Sequence, residues 1–288
     1  MDLQSLSAFL AITEAGSISG AARRLHLSQP AISKRLSGLE SRLGHRLFDR
    51  IGRRVQLTPA GAQLRPHAER VLQDLEDGRR AMSHLSDRVA GRLSIGTSHH
   101  IGLHRLPSVL KAYTHAHPDV DLDLHFMDSE VACRAIVAGQ LELGIVTLPT
   151  EPIPELEMRK IWNDPLAVVV SARHPLARKR RVLLAQLADL PALLPDEATY
   201  THRIVTAELA RHGVVPRVRL ATNYLETLKM LVSIGLGWSV LPRTMLDRSL
   251  RALNTPGFAP KRALGMVWHR RRTLSAPAQQ LIARLEAE

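Results

Sequence analysis

The chain has 288 residues, enough for two domains with sizeable cores, and carries a formal net charge of +12. That charge suits a polyanionic partner or a membrane surface, but no segment approaches the roughly 18 apolar residues needed to span a bilayer. Aromatic residues make up only 3 %, which argues against stacking platforms for single-stranded nucleic acid, and the lone Cys133 excludes an intrachain disulfide and fits a reducing cytoplasm.

The chain opens Met-Asp on an amphipathic helix, without the basic start and apolar core of a signal peptide, so a cytoplasmic location is expected. A short helix with apolar Ile18, Ala21, Ala22 and Leu25 then runs into a break, His26-Leu27-Ser28. A second helix starts at Ser28, a good N-cap, with Pro30 in its first turn. Its apolar positions Ala31, Ile32, Leu36, Leu39 and Leu43 step by three and four. Gln29, Ser33, Lys34, Arg35 and Ser37 occupy the opposite face. This pattern reads as a helix-turn-helix whose second helix enters a DNA major groove. An ordinary helical hairpin with a solvated basic face has the same spacing. Charge favours the first reading: residues 19–54 hold nine Lys or Arg against two acidic residues, Glu40 and Asp49. A solvated face usually mixes signs, whereas phosphate contact calls for one sign. Ile51-Gly52-Arg53-Arg54 reads as a turn between two short strands, a basic wing with Arg53 and Arg54 at its tip.

Residues 59–90 balance five basic against five acidic side chains. Leu64, Ala68, Val71, Leu75, Gly78, Met82, Leu85 and Val89 alternate steps of four and three, the seam of a coiled coil. Such a seam needs a partner, either a second copy or the chain's own C-terminal domain. From Gly91 onward strands are predicted at 92–96, 120–126, 141–147, 166–171, 217–221, 238–241 and 265–269. Helices are predicted between them at 106–117, 130–139, 202–213 and 224–235. The alternation implies a doubly wound α/β sheet in two small lobes, with crossings near Asn163-Asp164-Pro165 and after Arg262.

These residues resemble the LysR-type transcriptional regulators. LQSLSAFLAITEAGSISGAARRL, SQPAISKRLSGLESRLGHRLFDR and LTPAG (57–61) match its winged helix-turn-helix in order and spacing. RLSIGTS (92–98), LPSVLKAYTHAHPDVDLDL (106–124), AGQLELGIV (138–146) and GLGWSVLP (235–242) resemble its effector domain, a two-lobed fold related to periplasmic binding proteins. The resemblance implies an α+β multidomain chain of the bacterial cytoplasm. Its parts would be a DNA-binding domain (1–58), a linker and dimerisation helix (59–90) and an effector domain (91–288). Lobe I would take about 91–162 and 266–288, and lobe II about 163–265. It further implies that Gln29, Pro30, Ser33 and Lys34 meet duplex DNA, with Arg35 and Arg54 alongside, and that Arg53 reaches the minor groove. Leu64, Val71, Leu75, Met82 and Leu85 would pair two chains antiparallel in a homodimer, and dimers would form a tetramer. Two departures stand out. Lys34-Arg35 replaces the common Arg-Gln, and lysine cannot fork onto guanine. Met127 replaces a frequent glycine ahead of Ser129 and reshapes that side of the crevice.

In such a fold the ligand lies at the carboxyl ends of the strands. Thr97, Ser98, His99, His100, Ser129 and Thr147 follow strands in one lobe. Tyr200, Thr201, His202 and Asn223 occupy matching places in the other. Hydroxyls and free N–H groups at helix starts favour a small anion, and Tyr200-Thr201 resembles the sulfur-metabolism branch of the family. N-capping is the commoner task of each Ser and Thr. No cofactor is expected. The spacing of His99, His100 and His104 is not a known ligand set, so no metal is expected either. No P-loop, zinc-protease or nucleophile-elbow pattern occurs, and Cys133 has apolar neighbours, reading as a small buried residue rather than a redox sensor. A solute-binding protein or an α/β enzyme are the competing classes. The first is opposed by the missing signal peptide and by residues 1–58, and the second by the lack of a catalytic constellation.

Overall fold

The computed structural model describes residues 2–51, 54–83 and 89–287. The chain divides into two compact units, Met1–Met82 and Ser83–Glu288.

In the first unit α1 (Leu3–Ala15) starts at Asp2, whose carboxylate accepts the Ser5 N–H at 2.8 Å, and stops at Gly16 in the left-handed region. Helix α2 (Ile18–Arg24) is capped by Ser17, and α3 (Gln29–Leu43) by Ser28. His26 holds φ at +52° in the turn between them, a conformation that histidine tolerates better than β-branched residues. Phe9, Ile12, Ala21, Ile32, Leu36 and Leu39 close one small core. Strands β1 (Phe48–Ile51) and β2 (Arg54–Leu57) pair antiparallel, with Ile51 opposite Arg54. Helix α4 (Pro59–Ser83) follows. Thr58 starts it: its hydroxyl accepts the Gly61 N–H at 3.1 Å and donates to the Arg46 carbonyl at 2.7 Å. A Cβ on Gly61 would lie 2.2 Å from the Leu47 carbonyl oxygen, so only glycine lets α4 seat against that backbone.

The second unit begins with β3 (Gly91–Thr97), α5 (His99–His104), α6 (Leu106–Ala116), β4 (Val120–Phe126), α7 (Ser129–Val137) and β5 (Leu143–Thr147). Strand β6 (Leu156–Ser171) crosses to the second lobe, which holds β7 (Pro191–Leu194), α8 (Tyr200–Arg211), β8 (Arg217–Ala221), α9 (Leu225–Ser233), β9 (Ser239–Pro242) and β10 (Leu250–Ala252). Strand β11 (Lys261–His269) returns to the first lobe and leads to α10 (Ala276–Glu286). Strands β3, β4 and β5 are parallel, but β11 pairs antiparallel with both β5 and β6, so the sheet is mixed rather than parallel throughout. The cause is the double crossing, since β6 leaves the first lobe and β11 re-enters it.

Both expected crossing points lie in the interior of these strands rather than at breaks. Strand β6 is extended over 16 residues, where only 166–171 was expected. The short strands β7 and β10, of four and three residues, were not anticipated. At Gly265 the register of β11 shifts against β6, and an added Cβ would meet the Arg159 carbonyl at 2.2 Å.

Candidate functional site

Helix α3 presents a polar face. Ser28, Gln29, Pro30 and Lys34 are exposed, while Ile32 and Leu36 are buried beneath them. Ser33 is half-buried. Arg35, expected among the DNA contacts, is half-buried and donates to Gln4 Oε1 of α1 at 2.9 Å. Arg53 lies outside the described residues, and Arg54 is placed only by its backbone, at the start of β2.

Along α4 the seam residues separate. Ala68 is buried in the core of its own unit, and half-buried Leu64 packs against that core. Val71 and Leu75 are exposed, at 40 % and 37 %. The Met82 side chain and Leu85 lie outside the described residues.

A cavity of about 450 Å³ opens between the lobes of the second unit. Ser98, His99, His100, Ser129 and Thr147 line it from one lobe, and Thr201 and Asn223 from the other. Three expected residues do not line it. The Thr97 hydroxyl donates to the Ile145 carbonyl at 2.7 Å inside the sheet. The Tyr200 ring packs against Ala132 and Cys133 of α7. His202 Nδ1 lies 2.8 Å from the Pro195 carbonyl. Ser98 starts α5 without a side-chain capping bond, so its hydroxyl is not used there. The Ser129 hydroxyl accepts the Thr147 N–H at 3.0 Å. Asn223 spans the lobes, donating to Asp128 Oδ2 at 2.7 Å. The His99 ring sits 5.3 Å from Phe126 and 4.9 Å from Tyr224.

Sequence reasoning missed the charged floor of this cavity. Arg262 stands opposite Asp164 in the β6–β11 register. Its Nε donates to Asp164 Oδ2 at 2.7 Å and its Nη1 to Thr201 Oγ1 at 3.0 Å. Arg262 is 4 % exposed and Asp164 is fully buried. Burial pushes the arginine pKa down and the aspartate beside it pulls it back; a guanidinium keeps its charge. Arg262 Nη2 is buried with no hydrogen-bond partner among the described residues, in a residue that lines the cavity. Arg105 Nη2 lies 3.5 Å from the other Asp164 oxygen. The only sequence signal was a charge inside each of two apolar runs, NDPLAVVV and KRALGMVWH, 98 residues apart.

Acidic groups reach the cavity too. Glu130 accepts the Tyr200 N–H, and burial raises its pKa. Asp196 accepts the Ala198 N–H at 3.0 Å. Each of these carboxylates already has a donor, so the unmet donor at the floor is the guanidinium. Cys133 is 1 % exposed and burial pushes its thiol up to about 11, far from the reactive thiolate range.

A winged helix-turn-helix and a two-lobed ligand-binding fold in one chain define a ligand-responsive transcription regulator rather than an enzyme. The family model for the LysR substrate binding domain matches residues 86–288, and that for bacterial regulatory helix-turn-helix proteins of the lysR family matches residues 3–62. The chain belongs to the LysR family of transcriptional regulators and binds DNA as they do. An uncharacterized HTH-type transcriptional regulator of Azotobacter vinelandii is 61 % identical over 107 residues, covering 37 % of this chain and 74 % of that protein. The uncharacterized HTH-type regulator YnfL of Escherichia coli (strain K12) is 30 % identical over 272 residues, covering 93 % and 91 %. Full-length CbnR, solved with its target DNA, shares the fold at a TM-score of 0.71 and 21 % identity, over 100 % of this chain and 99 % of that one. No described helix is long and apolar enough to cross a membrane.

Proposed function

We propose that a small organic anion bound between the lobes controls the DNA binding of this regulator. The observation that carries the reading is Arg262 Nη2, a buried donor without a partner among the described residues, in a residue lining the cavity. An unmet buried donor costs about 1–3 kcal/mol, more when charged, and an oxyanion removes that cost. The hydroxyls of Ser98 and Thr201 add polar contacts from opposite lobes. The rim carboxylates Asp128 and Asp196 favour an anion that also carries hydroxyl or amino donors. Its effect on DNA is limited to its differential affinity for the two lobe arrangements.

On the DNA side Gln29, Pro30, Ser33 and Lys34 meet the major groove from α3, Arg53 of the wing reaches the minor groove, and Arg54 meets DNA beside it. Arg35 serves chiefly to hold α3 on α1, as its bond to Gln4 suggests. Val71 and Leu75, joined by Met82 and Leu85 further on, pair the linker helices of two chains in the cytoplasm, and dimers associate as tetramers. The domain limits are 1–58, 59–90 and 91–288.

Sequencing the genomic fragments that the purified protein retains identifies the operator, and the neighbouring genes nominate the anion. Calorimetry with that anion is expected to show binding that Ser98→Ala and Thr201→Val each weaken. Equal binding by the parent and both variants would place the effector elsewhere.

A further inference from the structure

We propose that His100, His104 and Glu226 form a site for a divalent transition metal ion, zinc by its donor chemistry, with two ligands from one lobe and one from the other. Helix α5 sets the two histidines four residues apart, on one face, with ring centroids 4.8 Å apart. Glu226 comes from the first turn of α9 across the crevice. Its Oε1 lies 3.2 Å from His104 Nε2 and 3.6 Å from His100 Nδ1. One donor atom from each of the three residues lies within 4.8 Å of the others. Tetrahedral zinc, with bonds of about 2.0–2.1 Å, holds neighbouring donors about 3.3 Å apart. The two spacings to Glu226 bracket that value, and the two histidine donors lie within 4.8 Å of each other.

An independent observation points to a ligand. His100 is 3 % exposed; its Nε2 has no hydrogen-bond partner among the described residues, and its Nδ1 has the Glu226 carboxylate at 3.6 Å, just beyond hydrogen-bond reach. Buried polar atoms of native proteins are rarely left this way, and a metal bond would satisfy one of them. Burial lowers the His100 pKa, which favours the neutral ring that metal ligation requires.

Two histidines and one carboxylate form a set that zinc uses with a fourth position left open. The charges around the site decide what fills it. Arg262 and Arg105 are offset by Asp164 and Glu226, so the surroundings are near neutral before the ion enters and carry two positive charges after. That excess favours an anion, hydroxide or a carboxylate, over neutral water. Because the ligands belong to both lobes, the ion would tie them together. Spacing along the sequence could not disclose the set, since Glu226 is 122 residues from His104.

The test uses full-length protein, zinc chloride for calorimetry and cobalt(II) chloride for absorption spectroscopy. The expected result is one zinc per chain and the intense visible bands of tetrahedral cobalt. His104→Ala and Glu226→Gln should each weaken zinc binding by about tenfold or more, since even outer partners of metal sites carry that much. Both positions are part-exposed, at 40 % and 37 %, so these variants keep the fold, which thermal unfolding checks. Histidines elsewhere are common to parent and variants, so their adventitious binding cancels. Equal zinc binding by parent and variants would overturn the proposal, as would cobalt spectra of the hexaaqua type in the parent.

Discussion

Arg262 is where burial and charge are most tightly balanced. Removing one partner of a buried ion pair is strongly destabilising, while replacing both by apolar groups is often neutral. Asp164→Ala is therefore expected to lower stability by about 3–5 kcal/mol in denaturant titrations. The double variant Asp164→Leu with Arg262→Met should recover much of that loss while abolishing anion binding. A single variant as stable as the parent would show that the guanidinium finds its counter-charge elsewhere. Thr201→Val removes the acceptor of Arg262 Nη1 and should weaken the anion by about 0.5–3 kcal/mol, the range for a bond to a charged group or a partner left unmet. Cys133 offers a simpler check. With 1 % exposure and its thiol pushed up to about 11, it should resist iodoacetamide at neutral pH until the protein is denatured. Fast labelling of the folded chain would contradict its burial. At this scale the sequence disclosed hydroxyls at helix starts, because capping chemistry is local. It hid Asp164 and Arg262, because their pairing depends on strands that meet only in the folded sheet.

Among the elements, the helices of the first unit were legible because each is written with its own stop and start. Asp2, Ser17 and Ser28 all accept backbone N–H groups at helix starts, and Gly16 and Gly44 end helices at positive φ. Strand β6 was legible only from Leu166 onward, because Asn163-Asp164-Pro165 has the composition of a turn. Pairing with β11 holds that tripeptide extended, Asp164 facing Arg262 and Pro165 facing Lys261. The seam of α4 was legible as a period but not as a destination, since Leu64 turns into its own core and Val71 and Leu75 do not. Two glycines should respond with opposite signs in urea unfolding. Gly61→Ala drives a Cβ to 2.2 Å from the Leu47 carbonyl and should cost about 1–3 kcal/mol. Gly38→Ala meets nothing within 4 Å in the interior of α3 and should stabilise by about 0.5–1 kcal/mol. Leu75→Asp places a charge in the exposed seam and should dissociate the dimer in sedimentation, because an unpaired charge against apolar groups is strongly unfavourable. A fully dimeric variant would mean that the chains meet elsewhere.

At the scale of the whole molecule the two units divide the work. One carries the exposed polar face of α3, and the other a crevice lined by Arg262, whose Nη2 has no acceptor among the described residues. Residues 1–82 carry a net charge of +5 of the chain's +12, and the contribution of that charge to DNA binding must fade with salt as counterions are released. The most direct measurement is operator affinity across a salt series for the parent, Lys34→Ala and Arg53→Ala. The parent should show a steep linear fall of log K with log salt. Each variant should bind more weakly, with a slope flatter by roughly one unit if the lost contact is to phosphate. Unchanged affinity and unchanged slope in both variants would contradict the assignment of α3 and the wing as the surface that meets DNA.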